Sequence, residues 1–267
     1  LRLATGGTTS SSLVAGSSQA CMIFDNGSLH CKMHDTRVGD MPTNEDVRLE
    51  SARDWNILDF GGSSVLEVGL GAAHACVILD QKQVKCWGSN SHGQLGFDAG
   101  SLEERNGDVS PDESLPAVEL GPGIPVQLAL GGAHTCVLFE SGAVKCWGSN
   151  SYGQLGYGDR LPRGSNEQSM GLTLPHVDLG GADVQVVKIS AGCSHTCALL
   201  RTGGLKCWGL NDDGQLGYGD FQSRGGFSAE MGTSLPEVAV LDNAGTVQPI
   251  KDIPISQGCT HSCVVLD

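Results

Sequence analysis

Short apolar runs alternate with glycine-bearing turns along this chain, and the runs return at nearly constant spacing. Val137-Leu138-Phe139 leads into Glu140-Ser141-Gly142, and Ala143-Val144-Lys145-Cys146-Trp147 runs back. A three-residue turn ending in glycine fits a type I turn with a bulge, where glycine takes the left-handed conformation. Asp25-Asn26-Gly27 and Arg201-Thr202-Gly203 occupy the same place. Alternating patterns predict a third strand at Leu115–Leu120, Leu174–Leu179 and Leu235–Val240. They predict a fourth at Val126–Leu130 and Val184–Ile189. Nothing shows the 3.6-residue period of a helix.

The hairpins are copies of one another. His74, Cys76, Cys86, Trp87, Gly88, Asn90 and Gly93-Gln94-Leu95-Gly96 form one set. His134, Cys136, Cys146, Trp147, Gly148, Asn150 and Gly153–Gly156 form the second, and His195, Cys197, Cys207, Trp208, Gly209, Asn211 and Gly214–Gly217 the third. A degenerate copy carries Cys21 and Cys31 without Trp-Gly or Gly-Gln-Leu-Gly, and a fifth starts at His261-Ser262-Cys263. The first cysteines of the sets are 55, 60, 61 and 66 residues apart. About four strands per ~60 residues, repeated, is the pattern of propeller blades. The fold expected is all-β: a single propeller over residues 1–267 with four-stranded blades. Its hairpins fall near 21–31, 76–96, 136–156 and 197–217, with an incomplete one at 263–267.

Gly-x-x-His before the hairpin, Gly-x-Val in its return strand and Trp-Gly-x-Asn-x-x-Gly-Gln-Leu-Gly after it resemble the repeat of the regulator of chromosome condensation family. The resemblance covers residues 60–267 well and 1–59 weakly. It implies a ring of seven blades, of which four to five repeats are visible, so these residues are expected to be a fragment of a longer chain.

The cysteines bear on compartment. The pairs Cys21/Cys31, Cys76/Cys86, Cys136/Cys146 and Cys197/Cys207 are each ten residues apart. Folding each hairpin about its turn sets them opposite one another, within disulfide reach. Each bridge would contribute roughly 2–3 kcal/mol in the chain-entropy model. Zinc is the rival, since His134, Cys136 and Cys146 could share a face, but the tight Cys-x-x-Cys spacing is missing. Cys193 and Cys259 sit at matching places in consecutive repeats, which leaves a bridge between neighbouring blades open beside the four pairs. Eleven cysteines then imply an extracellular, cell-surface or oxidising lumenal location.

Charge removes other functions. The net charge is -14 with only 16 Lys and Arg, scattered, so binding to nucleic acid is not expected. No run of 18 apolar residues exists to span a membrane. His74, His134, His195 and His261 recur from repeat to repeat, which reads as core structure rather than catalysis, and Trp87, Trp147 and Trp208 read as blade packing. Gly69-Leu70-Gly71 imitates a dinucleotide loop and Asn211-Asp212-Asp213-Gly214 a calcium loop; both are repeat template. No metal or cofactor is implied and no enzyme is expected. Asn26-Gly27-Ser28 is the one glycosylation sequon, at a hairpin tip. The acidic segment from Glu103 to Asp108, with Asp112 and Glu113, reads as a solvated loop or a rim for a partner. The functional expectation is a non-enzymatic, disulfide-stapled interaction or scaffold module. It would bind a protein partner through loops or a blade face, as part of a larger surface assembly. The family resemblance implies an alternative, a nuclear exchange factor for a small GTPase docked on chromatin. Another is a secreted protein inhibitor of an enzyme.

Overall fold

A computed structural model describes residues 4–5, 8–16, 19–33, 55–98, 100, 108–109, 111, 114–181, 183–240 and 255–264. Five antiparallel sheets follow one another in chain order. The first holds β1 (Ala4–Thr5), β2 (Thr8–Ala15), β3 (Gln19–Phe24), β4 (Leu29–Met33) and β5 (Asn56–Leu58). The second holds β6 (Val65–Leu70), β7 (His74–Leu79), β8 (Val84–Ser89) and β9 (Asp108–Val109). The third holds β10 (Pro125–Leu130), β11 (His134–Phe139) and β12 (Val144–Gly148), and the fourth β13 (Val186–Ala191), β14 (His195–Leu200) and β15 (Leu205–Gly209). The last is the pair β16 (Ile255–Gln257) and β17 (Ser262–Val264). We number the sheets blades 1 to 5. Their first long strands stand side by side, β6 against β10, β10 against β13 and β13 against β16.

The middle strand of blades 2, 3 and 4 is buried at every residue. A strand covered on both faces reads as an unbroken apolar run rather than an alternation, which explains Cys76-Val77-Ile78-Leu79 and its copies. The hairpin turns hold glycine at φ +80 (Gly27), +83 (Gly142) and +89 (Gly203). In blade 2 Lys82 takes the same left-handed place at φ 62, where a Cβ is unfavourable.

The predicted strands at 115–120, 174–179 and 235–240 form no ladder. Each is an extended outer segment tied by one backbone bond to its blade: Val118 N–H to Val84 O, Val177 N–H to Val144 O, and Val238 N–H to Leu205 O. Pro116, Pro175 and Pro236 remove a donor from each segment. Leu115, Leu174 and Leu235, only 1–3% exposed, supply the burial that their pattern promised. The acidic residues 103–107, 112 and 113 lie outside the described residues. Among the described residues no helix is long and apolar enough to cross a membrane.

Candidate protein-docking face

The sequence repeat becomes a set of interlocking bonds between blades. His74 Nε2 lies 2.9 Å from Thr135 Oγ1 of blade 3, His134 Nε2 3.0 Å from Thr196 Oγ1 of blade 4, and His195 Nε2 3.0 Å from Ser262 Oγ of blade 5. Each hydroxyl donates onward to a backbone carbonyl of the previous blade: Thr135 to Gln94 O, Thr196 to Gln154 O and Ser262 to Gln215 O. A hydroxyl that donates its only proton must accept from histidine, so each imidazole carries its proton on Nε2. The Nδ1 atoms of all three are buried without a partner. Burial therefore holds the rings neutral, pushing His74 and His134 down to about 3 and His195 to about 4. Trp147 and Trp208 donate their indole N–H groups to Gln94 O and Gln154 O, both at 2.9 Å. His261 stands exposed in the last hairpin. His74, His134 and His195 each bond one blade to the next.

The Gly-Gln-Leu-Gly loops that carry the accepting carbonyls form a rim. In each loop the asparagine side chain accepts from the leucine N–H (Asn90 from Leu95, Asn150 from Leu155, Asn211 from Leu216) and the glutamine oxygen caps the turn. Gly93 packs on the next blade so closely that a Cβ would come 2.7 Å from Ser165 N; Gly153 meets Gly225–Gly226 in the same way. The corners between asparagine and glycine are exposed and differ from blade to blade: Ser91-His92, Ser151-Tyr152 and Asp212-Asp213.

Blades 3 and 4 add a second loop to the rim, which the sequence reading missed. Arg163 grips Asp159 through both nitrogens, at 3.0 and 2.7 Å, and Arg224 grips Asp220 at the same distances. The guanidinium groups lie over Tyr157 and Tyr218, whose hydroxyls bond the Cys146 and Cys207 backbone. Arg224 accordingly holds Asp220 down to about 2, and burial pushes Tyr218 up to about 12. The signal was present as Gly-Tyr-Gly-Asp followed four residues later by Arg-Gly, in both blades. The clamps lift Arg160-Leu161-Pro162 in blade 3 and Phe221-Gln222 in blade 4 into solvent. Leu161 is 65% exposed, Phe221 72% and Phe227 61%, and Arg160 lies 5.5 Å from the Phe227 ring centroid. Large apolar and arginine side chains on rigidly braced loops are the makings of a protein-docking surface.

The cysteine pairs Cys21/Cys31, Cys76/Cys86, Cys136/Cys146 and Cys197/Cys207 are cross-strand partners with Cα atoms 4.1 Å apart and sulfurs in contact, all buried. Cys193 and Cys259 meet between blades 4 and 5, Cα atoms 4.5 Å apart, and Cys263 is exposed and free. No group of three or more metal-binding side chains occurs among the described residues. Asn26 is exposed at its hairpin tip, its Oδ1 accepting from Ser28 N–H and Oγ.

A profile described as the regulator of chromosome condensation (RCC1) repeat matches residues 65–94, 126–154 and 186–215, and a second of that description matches 141–199. Residues 65–94 and 126–215 thus carry repeats of the regulator of chromosome condensation type. The chain is 33% identical over 164 residues to mouse "Probable E3 ubiquitin-protein ligase HERC4", covering 61% of this chain and 14% of that protein. It is 38% identical over 157 residues to the human HERC3 ligase, covering 58% and 13%. It is 29% identical over 162 residues to the Arabidopsis thaliana "Ultraviolet-B receptor UVR8", covering 60% and 33%. Among solved structures, human WBSCR16 aligns at TM-score 0.66 and 18% identity, over 98% of this chain and 59% of that one. Yeast RCC1 (Prp20) bound to Kap60 aligns at 0.66 and 20%, over 97% and 54%. These similarities show the fold. The chain spans about a seventh of the ligases it matches.

This kinship corrects three expectations. An extracellular or lumenal scaffold is overturned, because the relatives are named as ubiquitin ligases and a light receptor, and a matched yeast structure, Prp20p, is titled for its binding to Gsp1p and histones. These are components of the cell interior, so the secreted and glycoprotein readings fall too. The expectation of no enzymatic connection is likewise corrected by relatives named as E3 ligases, although the match is confined to the repeats. The error came from the cysteines. A cysteine is also a small apolar residue suited to a fully buried strand, so the count alone does not fix a compartment.

Proposed function

We propose that these blades are the protein-docking part of an intracellular regulator that promotes guanine-nucleotide exchange on a small GTPase, in association with chromatin. The observation that carries this reading is the rim: exposed Leu161 and Phe221, with Arg160, on loops braced by the Asp159–Arg163 and Asp220–Arg224 ion pairs, and exposed Phe227 beside Arg160. Likeness in fold to yeast RCC1 supports it. So does the net charge of -14, which suits a basic protein partner on chromatin and disfavours DNA itself. A second reading, recruitment of a target to an E3 ubiquitin ligase, is favoured by the higher identity to the HERC3 and HERC4 ligases. Both readings use the same rim.

Release of a fluorescent GDP analogue from a panel of purified small GTPases separates them. The exchange reading expects accelerated release from one member, reduced about tenfold or more when Leu161→Asp and Phe221→Asp are combined, as loss of hot-spot contacts predicts. Binding to a partner without any acceleration would leave the recruitment reading in its place. Exchange unaffected by the double change would remove the rim from the account.

A further inference from the structure

The first long strands of blades 2, 3 and 4 carry different residues at one shared register position. Glu67 lies opposite Ile78, Gln127 opposite Leu138 and Lys188 opposite Leu199. Gln127 bridges to the next blade with both ends of its amide. Its Nε2 donates to Ile189 O at 3.0 Å, and its Oε1 accepts from Ile189 N at 2.9 Å. One side chain thus pins the backbone of blade 4 to blade 3.

Leu128 holds in β10 the place that Ile189 holds in β13, opposite Val137 and Ala198 respectively. Its N–H donates to the Glu67 carboxyl group, the counterpart of the Ile189 bond to Gln127. The other oxygen of Glu67, Oε2, is shut off from solvent with no hydrogen-bond partner. In blade 3 that corner belongs to the donor Nε2. An ionised carboxylate has no proton to give, whereas a neutral carboxyl offers one donor and one acceptor, as an amide does.

We propose that Glu67 acts as a neutral acid whose O–H donates to the Leu128 carbonyl, making the junction of blades 2 and 3 a proton-operated clamp that ionisation opens. The surroundings suit this. The strands packed on β6 are β2, β3, β7 and β10. Apart from the paired Cys21 and Cys76 they hold one ionisable side chain, His74, which is neutral and at the far end of β7. Lys188 belongs to β13, one blade further round. Among the described residues these strands offer no cation to stabilise the carboxylate, and burial pushes Glu67 up to about 7, against the opposing pull of the Leu128 N–H.

The sign follows from proton counts. Between the ordinary value of 4.5 and about 7 the folded chain keeps a proton that the unfolded chain has lost. The clamp's contribution is complete below this window, declines through it and is gone above it. Thermal unfolding of the whole chain and of Glu67→Gln, from pH 4.5 to 8.5, reads this directly. Histidine titration is common to both proteins and cancels in the difference. The variant should match the parent near pH 4.5, outlast it by a margin that widens to at least about 3 °C near pH 7, and keep that margin above. A difference that is constant with pH, or a parent as stable as the variant at pH 8.5, would overturn the proposal. Should the variant not fold, infrared spectroscopy of the parent decides. A protonated-carboxyl C=O band that persists at pH 6 and vanishes by pH 8.5 is expected, and its absence at pH 6 contradicts the clamp.

Discussion

Where blade 3 meets blade 4, His134 reaches Thr196, and both Thr196 and Trp208 end on the Gln154 carbonyl. Where blade 1 meets blade 2, the same places hold Gln19, Ala75 and Trp87. Gln19 replaces the histidine and donates instead to His74 O. Ala75 has no hydroxyl. Trp87 keeps its indole, yet its N–H is buried without an acceptor. The difference shows that Trp-Gly and Gly-Gln-Leu-Gly are two halves of one device. The tryptophan of each blade needs the glutamine carbonyl of the blade before it. Blade 1 lacks the Gly-Gln-Leu-Gly loop, so blade 2 has lost the threonine and retains a tryptophan for its bulk alone. The junctions of blades 2–3 and 3–4 are latched; that of blades 1–2 lacks the latch and is held by apolar packing together with the Gln19 bond to His74 O and the Val65 N–H bond to Gly27 O.

The largest effect is expected from removing the hydroxyl at the centre of a latch. Thr196→Val keeps the shape but strands the His134 Nε2–H and takes one donor from Gln154 O. It should destabilise the chain by about 2–3 kcal/mol in urea unfolding, since an orphaned buried donor carries its full desolvation penalty. A cost under about 0.5 kcal/mol would mean that the latch is ornamental. A smaller and sharper contrast comes from the tryptophans. Trp147→Phe and Trp87→Phe leave comparable voids, but only the first breaks a hydrogen bond. The first should therefore cost about 1 kcal/mol more than the second. Equal costs would erase the distinction between the junctions.

Much of this was legible in the sequence, for reasons particular residues make plain. The hairpins could be placed because Gly27, Gly142 and Gly203 mark turns that demand left-handed backbone, and because the His-x-Cys and Cys-Trp-Gly ends fix the register. The outer segment at 115–120 was overread as a strand: its alternation reports burial, which the structure grants, but Pro116 and the single bond at Val118 deny it a ladder. The Asp159–Arg163 clamp was written in the repeat and passed over, since spacing alone does not tell a salt bridge from a solvated loop. Glu67 could not be read at all. Its meaning depends on Leu128, 61 residues away and adjacent only after the blades are stacked. The compartment was misread because a cysteine buried for its size and one oxidised for stability leave the same letter in the sequence.

Native-state hydrogen exchange tests the central claim, that the latches decide how firmly each blade is held. Amides of the middle strands are the natural probes: β3 in blade 1, and β11 and β14 in the latched blades. The latch account predicts that β3 opens in a separate, sub-global step, with a free energy at least about 2 kcal/mol below that of β11 and β14, which should exchange together near the global limit. Equal protection in all three strands, or a β3 that outlasts β14, would contradict it.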